Sequence, residues 1–140
     1  MIEMIKEKFS EISSKCTKKY AKENGVNQKE MQLVFKLSSD GEEAEYLIYK
    51  TYRPLKELTF LEVLCVPIDL KGYSLFVPNF IKGALIRFSE ENDIDKKNVR
   101  VMIVFDEKGQ LFMFLYDGSK FIKQVELESL FDVRDLVTEQ

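Results

Sequence analysis

The strongest constraint on how this chain folds is the alternation in its last third. Val99, Val101, Ile103 and Phe105 are apolar at every second position, and Asp106-Glu107-Lys108-Gly109 follows as a turn. Successive side chains of a strand point to opposite faces, so a period of two reads as a strand with one buried face. Leu111 to Tyr116 is apolar without a break, the pattern expected of a central strand covered on both faces. Asp117-Gly118 then supplies a hairpin signal, and a further strand is expected from Lys120 to Val125. Three such segments joined by short turns commit the region to antiparallel pairing.

An earlier hairpin follows the same logic. Met31, Leu33, Phe35 and Leu37 alternate with Gln32, Val34 and Lys36, and Ser38-Ser39-Asp40-Gly41 supplies the turn. The return strand is expected over about Glu43 to Tyr52, with Ala44, Tyr46 and Ile48 on one face and Glu45, Leu47, Tyr49 and Thr51 on the other. Pro54 reads as an interruption, and a third strand is expected from Leu58 to Val66, ended by Pro67.

Helical periodicity marks two other segments. Ile2, Ile5, Phe9, Ile12, Cys16 and Tyr20 step by three or four over residues 2–24, with acidic residues early, lysines late and Gly25 as the stop. Pro78-Asn79 is expected to open a second helix, buried through Phe80, Ile81, Ala84, Leu85 and Phe88, with Glu90-Glu91-Asn92-Asp93 as an acidic end. Residues 68–77 are expected to be loop, with a short strand at Tyr73 to Val77. Leu127, Leu130, Phe131 and Leu136 predict a short closing helix.

The element order is therefore α-β-β-β-α-β-β-β-α. It predicts one α+β domain over residues 1–140, built on a mostly antiparallel sheet of five or six strands with an N-terminal, a central and a short C-terminal helix. Each half reads as a helix followed by three strands, a hint of duplication that no matching residues accompany. The order is similar to that of type III secretion chaperones and, less closely, of roadblock-type domains, both small α+β binding modules.

Composition narrows the chemistry. The chain has no His, so a Ser-His-Asp triad, an imidazole base and a His-ligated metal are excluded. Two Cys cannot form a four-cysteine zinc site, and six scattered Gly exclude GxGxxG and the P-loop. Net charge is −3, and seventeen Lys face four Arg, the residue favoured for bidentate phosphate contacts. Nothing resembles a signal sequence, and the longest uncharged run, Gly72 to Ile81, is too short to span a bilayer as a helix. A cytoplasmic protein with no membrane contact, no metal and no cofactor is the expectation.

Several surfaces stand out. Leu47, Tyr49, Tyr52 and Arg53 combine side-chain types favoured at interface hot spots. The face bearing Leu47 and Tyr49 is either covered by a helix or offered to a partner. Tyr73 and Phe76 lie in an uncharged stretch bounded by Gly72 and Pro78, which reads as a recognition edge, a dimer contact or a strand sealing the sheet. Lys15, Lys18, Lys19 and Lys22 share one helical face, which serves nucleic acid or an acidic partner, or is simply a solvated face suited to the helix dipole. Carboxylates at Glu42, Glu43 and Glu45, and at Glu90, Glu91, Asp93 and Asp95, lack calcium-loop spacing and read as solvated surface. Cys16 and Cys65 sit in apolar patterns and read as core.

The sequence thus predicts a non-enzymatic, protein-binding module of inhibitor, immunity, chaperone or adaptor type, a class that includes proteins of phages and other mobile elements. The alternatives are a nucleic-acid module using the lysine face and a small enzyme using carboxylate, Tyr or Lys chemistry. Self-association through uncovered strand edges is a further expectation.

Overall fold

The structure is a computed structural model, and it describes residues 2–64 and 73–131. The elements in chain order are α1 (Ile2–Glu23), β1 (Met31–Leu37), β2 (Ala44–Lys50), β3 (Arg53–Leu58), α2 (Phe60–Leu64), α3 (Tyr73–Glu91), β4 (Val99–Phe105), β5 (Leu111–Asp117) and β6 (Lys120–Val125). Short 3-10 turns at Gln28–Glu30 and Leu127–Leu130 precede β1 and follow β6. All six strands form one antiparallel sheet in the order β3-β2-β1-β4-β5-β6, the α+β arrangement expected. Among the described residues no helix is long and apolar enough to cross a membrane.

Alternation decides which face the helices cover. Met31, Leu33, Phe35 and Leu37 of β1 and Val99, Val101, Ile103 and Phe105 of β4 are buried together with Phe9, Cys16 and Tyr20 of α1 and with Phe80, Ile81, Ala84, Leu85 and Phe88 of α3. Phe131 ties the two helices together, packing edge-on against Phe9 at 5.2 Å and Phe80 at 5.7 Å between ring centroids.

Several sequence expectations are corrected. The third strand lies at Arg53–Leu58 and not at Leu58–Val66. Pro54 does not interrupt it, because β3 is an edge strand and Pro54 sits beside the bulge at Ile48/Tyr49, where a missing N–H is tolerated. After Leu58, Thr59 and Glu62 form a reciprocal capping box that starts α2: Thr59 N–H donates to Glu62 Oε1 at 2.9 Å, and Glu62 N–H to Thr59 Oγ1 at 3.2 Å. Cys65, Pro67 and Gly72 lie outside the described residues.

The segment from Tyr73 is helix and not strand, and Pro78 stands inside α3 rather than at its start. A short apolar run satisfies either periodicity, and Pro removes only one backbone bond near the N-terminus of a helix. Strand β5 is not central. It lies second from the edge, and its Leu111, Met113 and Leu115 face the helix-covered core. The closing helix is a single 3-10 turn, and Leu136 lies outside the described residues.

The hint of duplication proves to be structural. Helix α1 ends with Asn24 N and Nδ2 donating to Tyr20 O, and α3 ends with Asn92 N and Nδ2 donating to Phe88 O, 68 positions later. Val26 N–H reaches Ala21 O, and Ile94 N–H reaches Ser89 O, at the same offset. Gly25 and Asp93 share the left-handed conformation, with φ of 65° and 55°. The β1–β2 connection is one residue longer than that between β4 and β5, so the offset then falls to 67. At that offset the bulge after Ile48 matches the bulge after Leu115, and the hairpin partners Tyr49↔Pro54 match Tyr116↔Phe121. The bonds Thr51 N–H to Glu30 O and Gly118 N–H to Asn98 O, both 2.7 Å, also correspond. Val34 pairs with Met102, its own equivalent, so an approximate two-fold axis passes between them normal to the sheet.

Candidate binding cleft

The helices cover one face of the sheet. On the other face Val34, Met102 and Val104 form a separate apolar cluster, and Leu47, Tyr49, Phe112, Phe114 and Tyr116 are partly buried against it. No described helix covers this face. The continuous apolar run in β5 is thereby explained: its alternate side chains, Phe112, Phe114 and Tyr116, belong to the open face and remain half-buried.

Two hairpin tips shape this face into a cleft. By register, the β2–β3 and β5–β6 tips sit at diagonally opposite corners of the sheet. Strand twist lifts diagonal corners to the same side. Accordingly Tyr49, Tyr52 and Pro54 from one hairpin and Tyr116, Gly118 and Ser119 from the other line a single cleft of about 500 Å³. Val34 and Met102 form its floor, and Arg100 stands beside the second hairpin.

The first tip is held in an unusual conformation. Thr51 and Tyr52 both have positive φ, at 51° and 65°, the pairing that a type I′ two-residue hairpin requires and that Asn-Gly usually supplies. A β-branched residue there is strained. Fully buried Gln32 braces it, with Oε1 accepting the Tyr52 N–H at 2.8 Å and Nε2 donating to Lys29 O at 3.3 Å. Tyr52 itself is 59% exposed, and Phe121 beside the cleft is 54% exposed. Burial pushes the Tyr116 phenol up, and nearby Tyr52 pushes it further, so it stays a neutral hydrogen-bonding group at neutral pH.

Charge on the open face is uneven. Lys36 and Glu45 form an ion pair at 2.8 Å. Arg100, opposite Lys36 in register, donates through Nη1 to Lys97 O at 2.9 Å and Val99 O at 3.0 Å, with no carboxylate partner among the described residues. The lining of the cleft includes one cation and no carboxylate. Its aromatic walls, apolar floor and few polar groups are the composition of a recognition site.

Of the residues singled out by sequence, Leu47, Tyr49 and Tyr52 converge here, and exposed Arg53 begins β3 on the same hairpin. Tyr73 and Phe76 do not join them. Their backbone belongs to α3 in the helix layer, and their side chains lie outside the described residues. Lys15, Lys18, Lys19 and Lys22 are all exposed on α1, on the far side of the sheet from the cleft. Lys15 and Lys18 share a shallow groove with Glu7 and Glu11, so the local field is mixed. Among the described residues no three carboxylate or thiol groups converge as a metal site demands. Glu42, Glu43, Glu90, Glu91, Asp93 and Asp95 are exposed, and Cys16 is buried.

Sequence reading missed Val34, Arg100, Met102 and Tyr116. The signal was present: Arg100, Met102 and Val104 occupy the opposite phase of the alternation that marks β4. No protein-family model, curated protein or solved structure matches this chain.

Proposed function

We propose that the protein is a cytoplasmic, non-enzymatic module that binds an extended segment of a partner protein in the cleft of its open sheet face. One observation carries this reading. A six-stranded sheet with helices on one side keeps a second apolar cluster on the other, and two tyrosine-bearing hairpin tips rise over it. Exposed apolar patches of this kind mark interaction sites. Tyr side chains offer large contact area with little conformational freedom to lose, which suits them to anchoring a partner. The lysine face of α1, by contrast, shares its groove with carboxylates.

Site-specific photocrosslinking tests the reading. A photoreactive phenylalanine analogue replaces Tyr52 in one variant and Lys18 in another, and each is irradiated in the cells that express the protein. Both positions are exposed, so the fold is expected to tolerate either change. The expected result is a discrete protein adduct from position 52, lost when Met102→Lys is added, and none from position 18. Adducts from position 18 alone, or adducts to nucleic acid, overturn the proposal.

A further inference from the structure

One difference between the two repeated units falls in the cleft. In the first unit Gln32 acts in two directions, donating to Lys29 O and accepting from the Tyr52 N–H. In the second unit Arg100 holds the equivalent position. Its Nη1 donates to Lys97 O, the carbonyl that corresponds to Lys29 O. The donating half of the arrangement is therefore kept. The accepting half is lost, because a guanidinium has five N–H donors and no acceptor. Ser119 is the counterpart of Tyr52 in sequence but not in conformation: Gly118 has a positive φ of 61° and Ser119 does not, so the peptide between them is turned over relative to that between Thr51 and Tyr52, and this tip needs no acceptor from Arg100. Arg100 and Ser119 line the same cleft.

Where the first unit places an amide oxygen, the second therefore places an anchored cation. An anionic oxygen beside it would be held by charge-assisted bonds, which are about twice as strong as neutral ones. The single guanidinium matches a single charge. Nucleic-acid phosphates recur along a strand and call for several cations, whereas the rest of the cleft lining is uncharged. Lys36, the neighbouring cation, is already matched by Glu45.

We infer that Arg100 forms a carboxylate subsite, and that the partner segment carries an Asp or Glu side chain next to an apolar or aromatic residue resting on Val34 and Met102. This rests on the partner-segment reading above and names the chemistry of the segment.

The test uses the isotope-labelled full chain and two blocked peptides at millimolar concentration, acetyl-Leu-Glu-Phe-amide and acetyl-Leu-Gln-Phe-amide, followed by amide and arginine Nε–H chemical shifts. Both peptides are expected to shift Val34, Met102 and Tyr116. The acidic peptide is expected to bind about fivefold or more tightly, and alone to shift the side-chain Nε–H of Arg100. Arg100→Gln keeps a side chain that can donate to Lys97 O as Gln32 donates to Lys29 O, so the fold is expected to tolerate it. It is expected to bind both peptides equally. Equal affinity in the unaltered protein, or a preference that survives Arg100→Gln, overturns the carboxylate subsite and leaves the cleft as a peptide site. Absence of cleft shifts with either peptide overturns the partner-segment reading itself. Inorganic phosphate that binds at the same guanidinium as tightly as the acidic peptide overturns the assignment to a carboxylate.

Discussion

Replacing Gln32 with Leu isolates what holds the first hairpin tip. The side chain is fully buried, and Leu fills nearly the same volume, so no cavity confuses the result. Two hydrogen bonds disappear, to Tyr52 N–H at 2.8 Å and to Lys29 O at 3.3 Å. Each contributes roughly 1 kcal/mol net. The tip they brace holds two non-glycine residues at positive φ, a conformation that costs about 1–2 kcal/mol per residue. Once unbraced, the tip relaxes and releases part of that strain, which caps the loss. The expected destabilisation is therefore about 2 kcal/mol, mainly the two lost bonds. For 140 residues the entropy of unfolding is about 0.3 kcal/mol/K, so the midpoint of thermal unfolding should fall by roughly 7 °C. Urea unfolding followed by circular dichroism measures the free energy, and an unchanged m-value confirms that the folded state is intact. Amide exchange should accelerate at Tyr52 and stay as it was at Ser119. A loss below about 0.5 kcal/mol, within the scatter of neutral surface changes, refutes the view that Gln32 braces the tip.

The two faces of β2 should respond differently to truncation. Ile48→Ala, in the helix-covered core, is expected to cost about 2–5 kcal/mol, while Leu47→Ala, partly buried on the open face, should cost about 1 kcal/mol or less by the same urea assay. In the capping box, the Thr59 N–H and then Lys56 hold the Glu62 carboxyl below its ordinary value of 4.5. Its contribution is therefore complete above that value and is lost as pH falls through the depressed one. The Thr59 amide shift should titrate with a midpoint below 4.5, and a midpoint at or above it contradicts the capping geometry.

Much of the fold was legible because burial enforces it. The periods of β1, β2, β4 and β6 and the stripe of α1 predict elements within a few residues of their observed ends. The misses share a cause: each needed a reading of what two segments do together. The run Leu111–Tyr116 looks like a strand covered on both faces because an apolar cleft wall and a buried face have the same composition. Thr51-Tyr52 does not look like a tight turn, because its conformation is stabilised by Gln32, about twenty residues earlier. The Thr59-x-x-Glu62 box was readable and marks the start of α2, but strand-forming residues around it favour the wrong period.

The candidate site was only half legible, and the internal repeat says why. Equivalent core positions such as Met31 and Val99, or Tyr20 and Phe88, differ in identity while keeping their apolar character, so comparison of residues conceals the repeat. Identity survives where the backbone makes a specific demand, as at Asn24 and Asn92, or Gly41 and Gly109 with φ of 74° and 79°. Among paired strand positions on the open face, Tyr49 and Tyr116 are the same residue in both units. Half-burial against the apolar cluster would accept many side chains there, so the shared Tyr is better explained by the cleft that both line. The neighbouring pairs break the symmetry: Gln32 corresponds to Arg100, and Glu45 to Phe112. A cleft with perfect two-fold symmetry would accept an extended segment in either direction. With a self-satisfied amide at one equivalent position and an unmatched guanidinium at the other, the two directions differ by a charge, and the cleft acquires a polarity that its fold alone would not give.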